Sequence, residues 1–251
     1  MRQPVTTTGL VVGGMNYRET DRIVTLVTAD QGKVRALARG ARHSRRRFGG
    51  ALQPFQLVQL VVTPPGRGGL WLLHEAEVLR PFAVAQDPLR YGAATYATEL
   101  VREFVPEGVA DQRALDLLVE LLVRLDRGEP PLVQLVGTLV SVLDLAGVLP
   151  PWDRCVRCDR VAPEGKAGRF DVRRGLVCSR CGQGGVLFRG PIRQQLAQAA
   201  VDRPVQVSPA EAEVLVGALC AYAHHQLGRE PHSVRLLRQV LPWPRGEESS
   251  R

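Results

Sequence analysis

The chain has 251 residues, enough for one large or two modest domains with cores of their own. Hydrophobic residues make up 45% and charged residues 23%, ordinary values for a soluble globular protein and far from the compositional extremes. The net charge of +8 favours an acidic partner, with nucleic acid ahead of a membrane surface.

The start, MRQPVTTTGLVV, is polar and has no long apolar stretch behind a basic head, so no signal peptide is expected. The following residues read as strands. Gly9–Met15 is an apolar run with glycines, and Arg22–Thr28 is rich in β-branched residues. Ala29-Asp30-Gln31-Gly32 is a hairpin signal, with Gly32 suited to a positive φ. Lys33–Arg39 alternates, with Val34, Ala36 and Ala38 on one face and Lys33, Arg35, Leu37 and Arg39 on the other. Gln53–Thr63 and Leu70–Leu79 continue the pattern on either side of Pro64-Pro65-Gly66. Five strands in about 80 residues with tight turns predict a small barrel, for which the five-stranded OB-fold is the leading architecture.

Between the third and fourth strands lies RGARHSRRRFGG, residues 39–50. Residues 31–50 contain Lys33, Arg35, Arg39, Arg42, Arg45, Arg46 and Arg47 and no acid, a charge of +7 that leaves the other 231 residues at +1. Lysine occurs only at Lys33 and Lys166, so the use of Arg is chain-wide and carries no meaning here; the clustering does. Arg binds phosphate bidentately and stays charged at any working pH. Lys33, Arg35, Arg39, Arg42, His43, Arg45, Arg46 and Arg47 are therefore the expected nucleic-acid contacts. The glycines and mutual repulsion of the loop predict that it is mobile before nucleic acid arrives. Phe48 and Phe55 flank the cluster as candidates for stacking on a base, with Phe55 better suited to the core.

From about residue 82 the period becomes helical. Leu89–Phe104, Ala114–Leu125 and Leu132–Leu145 each carry an apolar stripe, and Gly147 is a stop signal for the third. Residues 132–149 include Gln134, Thr138, Ser141 and Asp144 and run into Pro150-Pro151, which reads as a buried core helix and not a membrane span. A cytoplasmic location is the corresponding expectation. A further helix opens at Pro191. Ser208-Pro209-Ala210-Glu211 reads as a capping box with proline in the first turn, starting a helix that Gly228 ends. A last short helix covers Ser233–Leu241, and residues 244–251 read as a disordered tail.

Cys155-x-x-Cys158 is followed after 19 residues by Cys178-x-x-Cys181. Two such pairs supply four thiolates to one tetrahedral Zn²⁺, and four thiolates leave no open coordination position, so the ion is expected to be structural. Residues 165–172 and 175–177 read as the hairpin of a zinc ribbon, in a segment with few large apolar side chains that a metal would staple. The fifth cysteine, Cys220, reads as core. Cysteines in a cytoplasmic chain argue for metal or free thiols over disulfides. Signals for catalysis are poor. There is no P-loop, Glu75 and Glu77 read as a structural pair on one strand face, and His224 and His225 point apart on a helix.

The order of motifs resembles the start of the RecO family of recombination mediators: Tyr17-Arg-Glu19-Thr-Asp21, Gly32-Lys33, Gly40-Ala41-Arg42 and Leu52-Gln-Pro54-Phe55. Ala76-Glu77, Tyr96-x-x-Glu99-Leu100, Leu145-Ala-Gly147, the four cysteines and Tyr222 through Ser233 extend the resemblance over nearly the whole chain. It implies an α+β protein: an N-terminal OB-fold (1–81), a helical domain (82–152 and 187–243) and a zinc-binding insertion (153–186). It also implies a non-enzymatic, nucleoid-associated role in recombinational repair. Such a protein binds single- and double-stranded DNA, anneals complementary strands, and with RecR helps load RecA onto DNA coated by single-stranded-DNA-binding protein (SSB). Some members contact the SSB C-terminal tail through the helical domain, for which Arg102, Arg124, Arg235 and Arg238 are candidates. The family often has lysines and serines after the Gly-Ala motif, where this chain has Arg42-His43-Ser44-Arg45-Arg46-Arg47. Two other readings compete: a metal-dependent nuclease using Glu75 and Glu77, and a zinc-ribbon adaptor acting mainly on protein partners.

Overall fold

The computed structural model describes residues 2–66, 69–182, 184–199 and 205–240. Its architecture is α+β, and the chain divides into two compact units, Met1–Gln86 with Thr98–Arg127 and Asp87–Ala97 with Gly128–Arg251.

The first unit is built on strands β1 (Val5–Tyr17), β2 (Asp21–Thr28), β3 (Gly32–Ala38), β4 (Gln56–Thr63) and β5 (Trp71–Pro81). They close a barrel in the order β1-β2-β3-β5-β4, and β4 returns antiparallel to β1 from Val5↔Val62 to Leu10↔Leu57. The parallel β3–β5 pair, Ala36↔Trp71 to Ala38↔Leu73, completes the OB-like arrangement. Alternation on β3 fixes its register, because Val34, Ala36 and Ala38 are buried and a one-residue slip would bring Lys33 and Arg35 inside instead. Gly32 has φ +65°, and a Cβ there would lie 2.0 Å from the Val109 carbonyl oxygen, so both the turn and its covering segment require glycine.

The arginine-rich stretch is folded. Arg45–Phe48 form one helical turn (α1), closed by Gly49 in the left-handed conformation. Phe48 enters the barrel core beside Ala51 and Leu52. Sequence reading predicted a mobile loop because charge repulsion dominates its composition. One buried ring and three hydrogen bonds from Gly40 and Arg42 to the β1–β2 turn pin it.

Helix α2 (Pro88–Phe104) begins in the second unit and ends in the first. Helix α3 (Gln112–Asp126) lays Leu115, Leu118, Leu122 and Leu125 inward and packs on β1 and β2. Residues 98–127 therefore join the barrel's unit, although the change of period at 82 suggested a separate helical domain. Helical periodicity says that a segment buries one face, not which core it faces.

In the second unit, α4 (Pro131–Leu145) packs against α5 (Gly190–Ala199) and α6 (Pro209–Leu227), and α7 (Val234–Val240) closes the described chain. Ser208 and Glu211 form the expected capping box, and Gly228 ends α6 at φ +68°. Among the described residues no helix is long and apolar enough to cross a membrane, and the apolar stretch at 132–149 is the buried helix α4. The tail at 244–251 lies outside the described residues.

Between α4 and α5 a three-stranded sheet is inserted: β6 (Gly168–Asp171), β7 (Gly175–Val177) and β8 (Val186–Phe188), in the order β7-β6-β8. The β6–β7 hairpin is the expected one; β8 was not predicted. The insertion is also richer in aromatic packing than its composition suggested. Phe170 stacks on Phe188 at 4.8 Å and on Trp152 at 5.5 Å, and Tyr222 of α6 adds a tilted contact at 5.5 Å.

Candidate nucleic-acid interface and metal centre

The β1–β2 turn and the segment after β3 meet at one end of the barrel. An Asp21 carboxylate oxygen accepts from the Gly40 backbone N–H at 2.8 Å and from the Thr20 hydroxyl at 3.0 Å. The Gly40 bond leads, with that of Thr20 and the charges of Arg18 and Arg39, in holding the Asp21 carboxyl below its ordinary range against the cost of desolvation. Arg42 Nη1 donates to the Glu19 carbonyl at 2.6 Å, and Arg47 Nη2 donates to the Arg39 carbonyl at 2.8 Å. The Arg47 guanidinium also lies 5.0 Å from the centroid of the Phe48 ring. Arg42 and Arg47 thus fasten the segment while keeping donors to spare. Arg45, Arg46 and His43 project into solvent.

A cleft of about 290 Å³ opens here, lined by Arg22, Arg42, Arg45, Phe48 and Gln53 among others. Arg22 Nε is buried beside it without a hydrogen-bond partner. Several guanidiniums with open donors around a concave surface suit phosphate oxygens.

The remaining expected contacts divide. Arg35 and Arg39 lie on the exposed face of β3 and just beyond its end. Lys33 sits at the opposite end of the strand, about 20 Å from Arg39 at the usual strand rise. It donates to the Arg102 carbonyl, and burial lowers its pKa while Glu107 and Glu103 act to raise it. Lys33 therefore sits among charges of both signs, Glu107 and Glu103 against Arg102 and Arg35, at the other end of β3 from Arg39.

Neither flanking phenylalanine faces solvent: Phe48 is 2% and Phe55 5% exposed. The exposed aromatic near this turn is Tyr17, at the tip of the β1–β2 hairpin with the Arg18 guanidinium 5.2 Å from its ring centroid. In the sequence Tyr17 stands out only as the first residue of the Tyr17-Arg-Glu19-Thr-Asp21 motif. Its position next to the turn residues was the signal that it lies outside the core.

The four cysteines converge in the insertion. Their Sγ atoms all lie within 4.8 Å of one another. Zinc–sulfur bonds of about 2.3 Å in a tetrahedron would set the sulfurs about 3.8 Å apart, and Cys158 and Cys178 are 3.7 Å apart. Burial acts to raise the Cys155 thiol, but backbone N–H groups of Cys178, Arg157 and Cys158 outweigh it and bring it down to about 6. The Arg180 N–H likewise leads in lowering Cys178. Cys181, sharing hydrogen bonds with Cys158 and Cys178, is pushed up to about 12. Knuckle amides that favour thiolates are what a cation needs, so donor type, number and spacing fit one metal ion.

The insertion is tied down by a residue with no sequence signal. Arg193 of α5 is 3% exposed, and its guanidinium donates to the carbonyls of Trp152 at 2.8 Å and Ala162 at 3.2 Å, and to that of Pro163. It bridges the two flanks of the first cysteine pair to the helix behind them.

Cys220 is fully buried, and burial pushes its thiol up to about 12, in keeping with a core role. Glu75 and Glu77 are exposed on β5, and among the described residues only the four cysteines form a group of three or more potential metal ligands. His224 Nε2 meets the Tyr96 hydroxyl at 2.7 Å, while His225 is exposed. Arg102 pairs with Glu99 at 3.8 Å, Arg124 with Glu120 at 2.6 Å, and Arg238 with Glu230; Arg235 is exposed.

Residues 1–82 match the family described as "Recombination protein O N terminal", and residues 85–235 match "Recombination protein O C terminal". The chain is 37% identical over 246 residues to a protein of Anaeromyxobacter sp. (strain K) named "DNA repair protein RecO", with 94% of this chain and 96% of that one covered. Proteins of the same name in Myxococcus xanthus (35%; 92% and 96% covered) and Geobacter sulfurreducens (34%; 95% and 99% covered) are also similar.

Proposed function

We propose a function with one fact as its premise: the chain belongs to the recombination protein O family. It is a DNA repair protein of the recombination mediator type. In the finer reading, it binds single- and double-stranded DNA, anneals complementary strands and, with RecR, helps load RecA onto SSB-coated DNA. It does so in the cytoplasm, at the nucleoid, and without catalytic turnover.

The observation that carries this reading is the end of the barrel where Arg22, Arg42 and Arg45 line one cleft, with Arg46 exposed beside it and exposed Tyr17 on the adjoining hairpin. Phosphates would take the guanidinium donors and a base would stack on Tyr17. Two strands repel each other as polyanions. A multivalent cationic surface lowers that repulsion by displacing condensed counterions, with no need for ATP. The four-cysteine site would hold one Zn²⁺ in a structural role, bracing the insertion against Arg193 and the aromatic base.

The test is annealing of complementary oligonucleotides coated with SSB, comparing wild type with the Arg45→Glu/Arg46→Glu/Arg47→Glu variant. Strong impairment of the variant is expected. Equal annealing would remove the barrel surface from the function, and strand cleavage in Mg²⁺ that Glu75→Ala abolishes would replace a mediator with a nuclease.

A further inference from the structure

The net charge conceals a second basic region. Residues 153–186 hold eight Lys or Arg and four Asp or Glu, a net of +4, while the residues outside this segment and outside 31–50 sum to −3. The four acids already have partners. Asp153 and Asp159 lie 3.1 and 3.4 Å from the Arg154 guanidinium, Glu164 accepts from Gln194 at 2.9 Å, and Asp171 accepts the Arg173 backbone N–H at 2.8 Å.

Beside the second cysteine pair is a cleft of about 380 Å³ lined by Arg157, Arg173, Arg174, Asp171, Gly182 and Gly184 among others. Arg157 Nη1 donates to the Cys181 carbonyl, which fixes its guanidinium against the knuckle. The Arg173 and Arg174 side chains are exposed, and neither is ion-paired among the described residues. Gly184 leaves open space where a Cβ would stand, so a ligand can approach the backbone there.

We propose that this arginine cleft is a second nucleic-acid surface, which takes the phosphates of a strand other than the one held at the barrel. The inference rests on the DNA-annealing function proposed above and adds to it. A single cationic surface screens the strand it holds and leaves the incoming strand to meet a polyanion. A second surface lowers the charge of the partner strand independently. An acidic peptide is the competing ligand, but tails of that kind call for an apolar notch among the basic groups. Of the apolar residues in this lining, Val177 is buried and Val172 half-buried, and the exposed Val161 and Leu187 lie outside it, so the cleft offers little apolar surface to such a tail.

The test uses the full chain carrying Arg173→Gln/Arg174→Gln, with Arg157 left in place because it braces the knuckle. Metal content equal to that of wild type certifies the fold; if the pair loses metal, Arg174→Gln alone takes its place. Single-strand affinity is measured against salt in the wild-type background and in an Arg45→Gln/Arg46→Gln background. Each lost phosphate contact lowers the slope of log affinity against log salt by about 0.7, so with the barrel site weakened the ribbon pair should lower it by about 1.4 and the single variant by about 0.7, and annealing should slow in both backgrounds. An unchanged slope and annealing rate overturn the proposal. So does loss of binding to an Asp/Glu-rich peptide with DNA binding intact. If only the barrel pair alters DNA binding, this inference alone fails; if neither pair does, the proposed function fails with it.

Discussion

Phe48 links the fold of the barrel to the presentation of the arginine turn, and its removal is the most revealing single change. The ring is 2% exposed and belongs to the barrel core, while the three residues before it are the exposed arginines of α1. Phe48→Ala deletes the buried ring and leaves a cavity, at a cost of about 3–5 kcal/mol. Phe48→Leu keeps most of the volume and should cost less than about 1.5 kcal/mol. Both variants retain every charge. The Ala variant must therefore keep the wild-type salt slope for DNA while binding more weakly, since the turn has to be ordered on binding. Ordering even one residue costs about 1–2 kcal/mol, a loss of about five- to thirtyfold in affinity. Urea denaturation followed by tryptophan fluorescence, with Trp152→Phe and Trp243→Phe in the background so that Trp71 of the barrel reports, together with DNA titrations at several salt concentrations, measures both effects. A stability loss below about 1 kcal/mol for Phe48→Ala would refute the view that this ring anchors the turn.

Arg45→Gln/Arg46→Gln, in which neither side chain supports the fold, should lower the single-strand salt slope by about 1.4 with stability unchanged; titration at three salt concentrations tests this, and an unaltered slope would place the phosphates elsewhere. Tyr17→Ala should cost about 1–3 kcal/mol in single-strand affinity with Tyr17→Phe close to wild type, which equilibrium titration separates from a hydroxyl effect. Thiol titration should find the four insertion cysteines protected in the zinc-loaded protein, reactive after chelation, and Cys220 reactive only on unfolding; four reactive thiols before chelation would count against a metal site. The lowered carboxyl of Asp21 contributes stability that is complete above the ordinary Asp range and lost as pH falls through and below it. Asp21→Asn should flatten that acid limb, as acid titrations of melting temperature would reveal.

The barrel was legible because its strands alternate with a period of 2 and are separated by strong turn residues. The cysteine site was legible because two x-x spacings at the right interval have few other uses. What escaped shares one physical cause: it depends on which segments meet in space. Nothing in Ile192-Arg193-Gln194 announces that a guanidinium will be buried under three carbonyls. Phe48 stood among arginines and looked like a stacking ring until the barrel interior was seen to claim it. Tyr17 is the reverse case, an aromatic residue left outside because its hairpin extends past the core.

Charge shows the limit of reading a sum. Subtracting the +7 of residues 31–50 left +1, which suggested an even background. That background is a +4 insertion set against −3 elsewhere, and folding determines that part of the positive share gathers around one cleft. At physiological salt, exposed charges act over a Debye length of about 8 Å. A strand therefore responds to the charges grouped within that distance of its phosphates and hardly to the sum over the whole chain. For the proposed function, the local sum around each cleft is the relevant quantity, and both clefts described above are lined by several arginines.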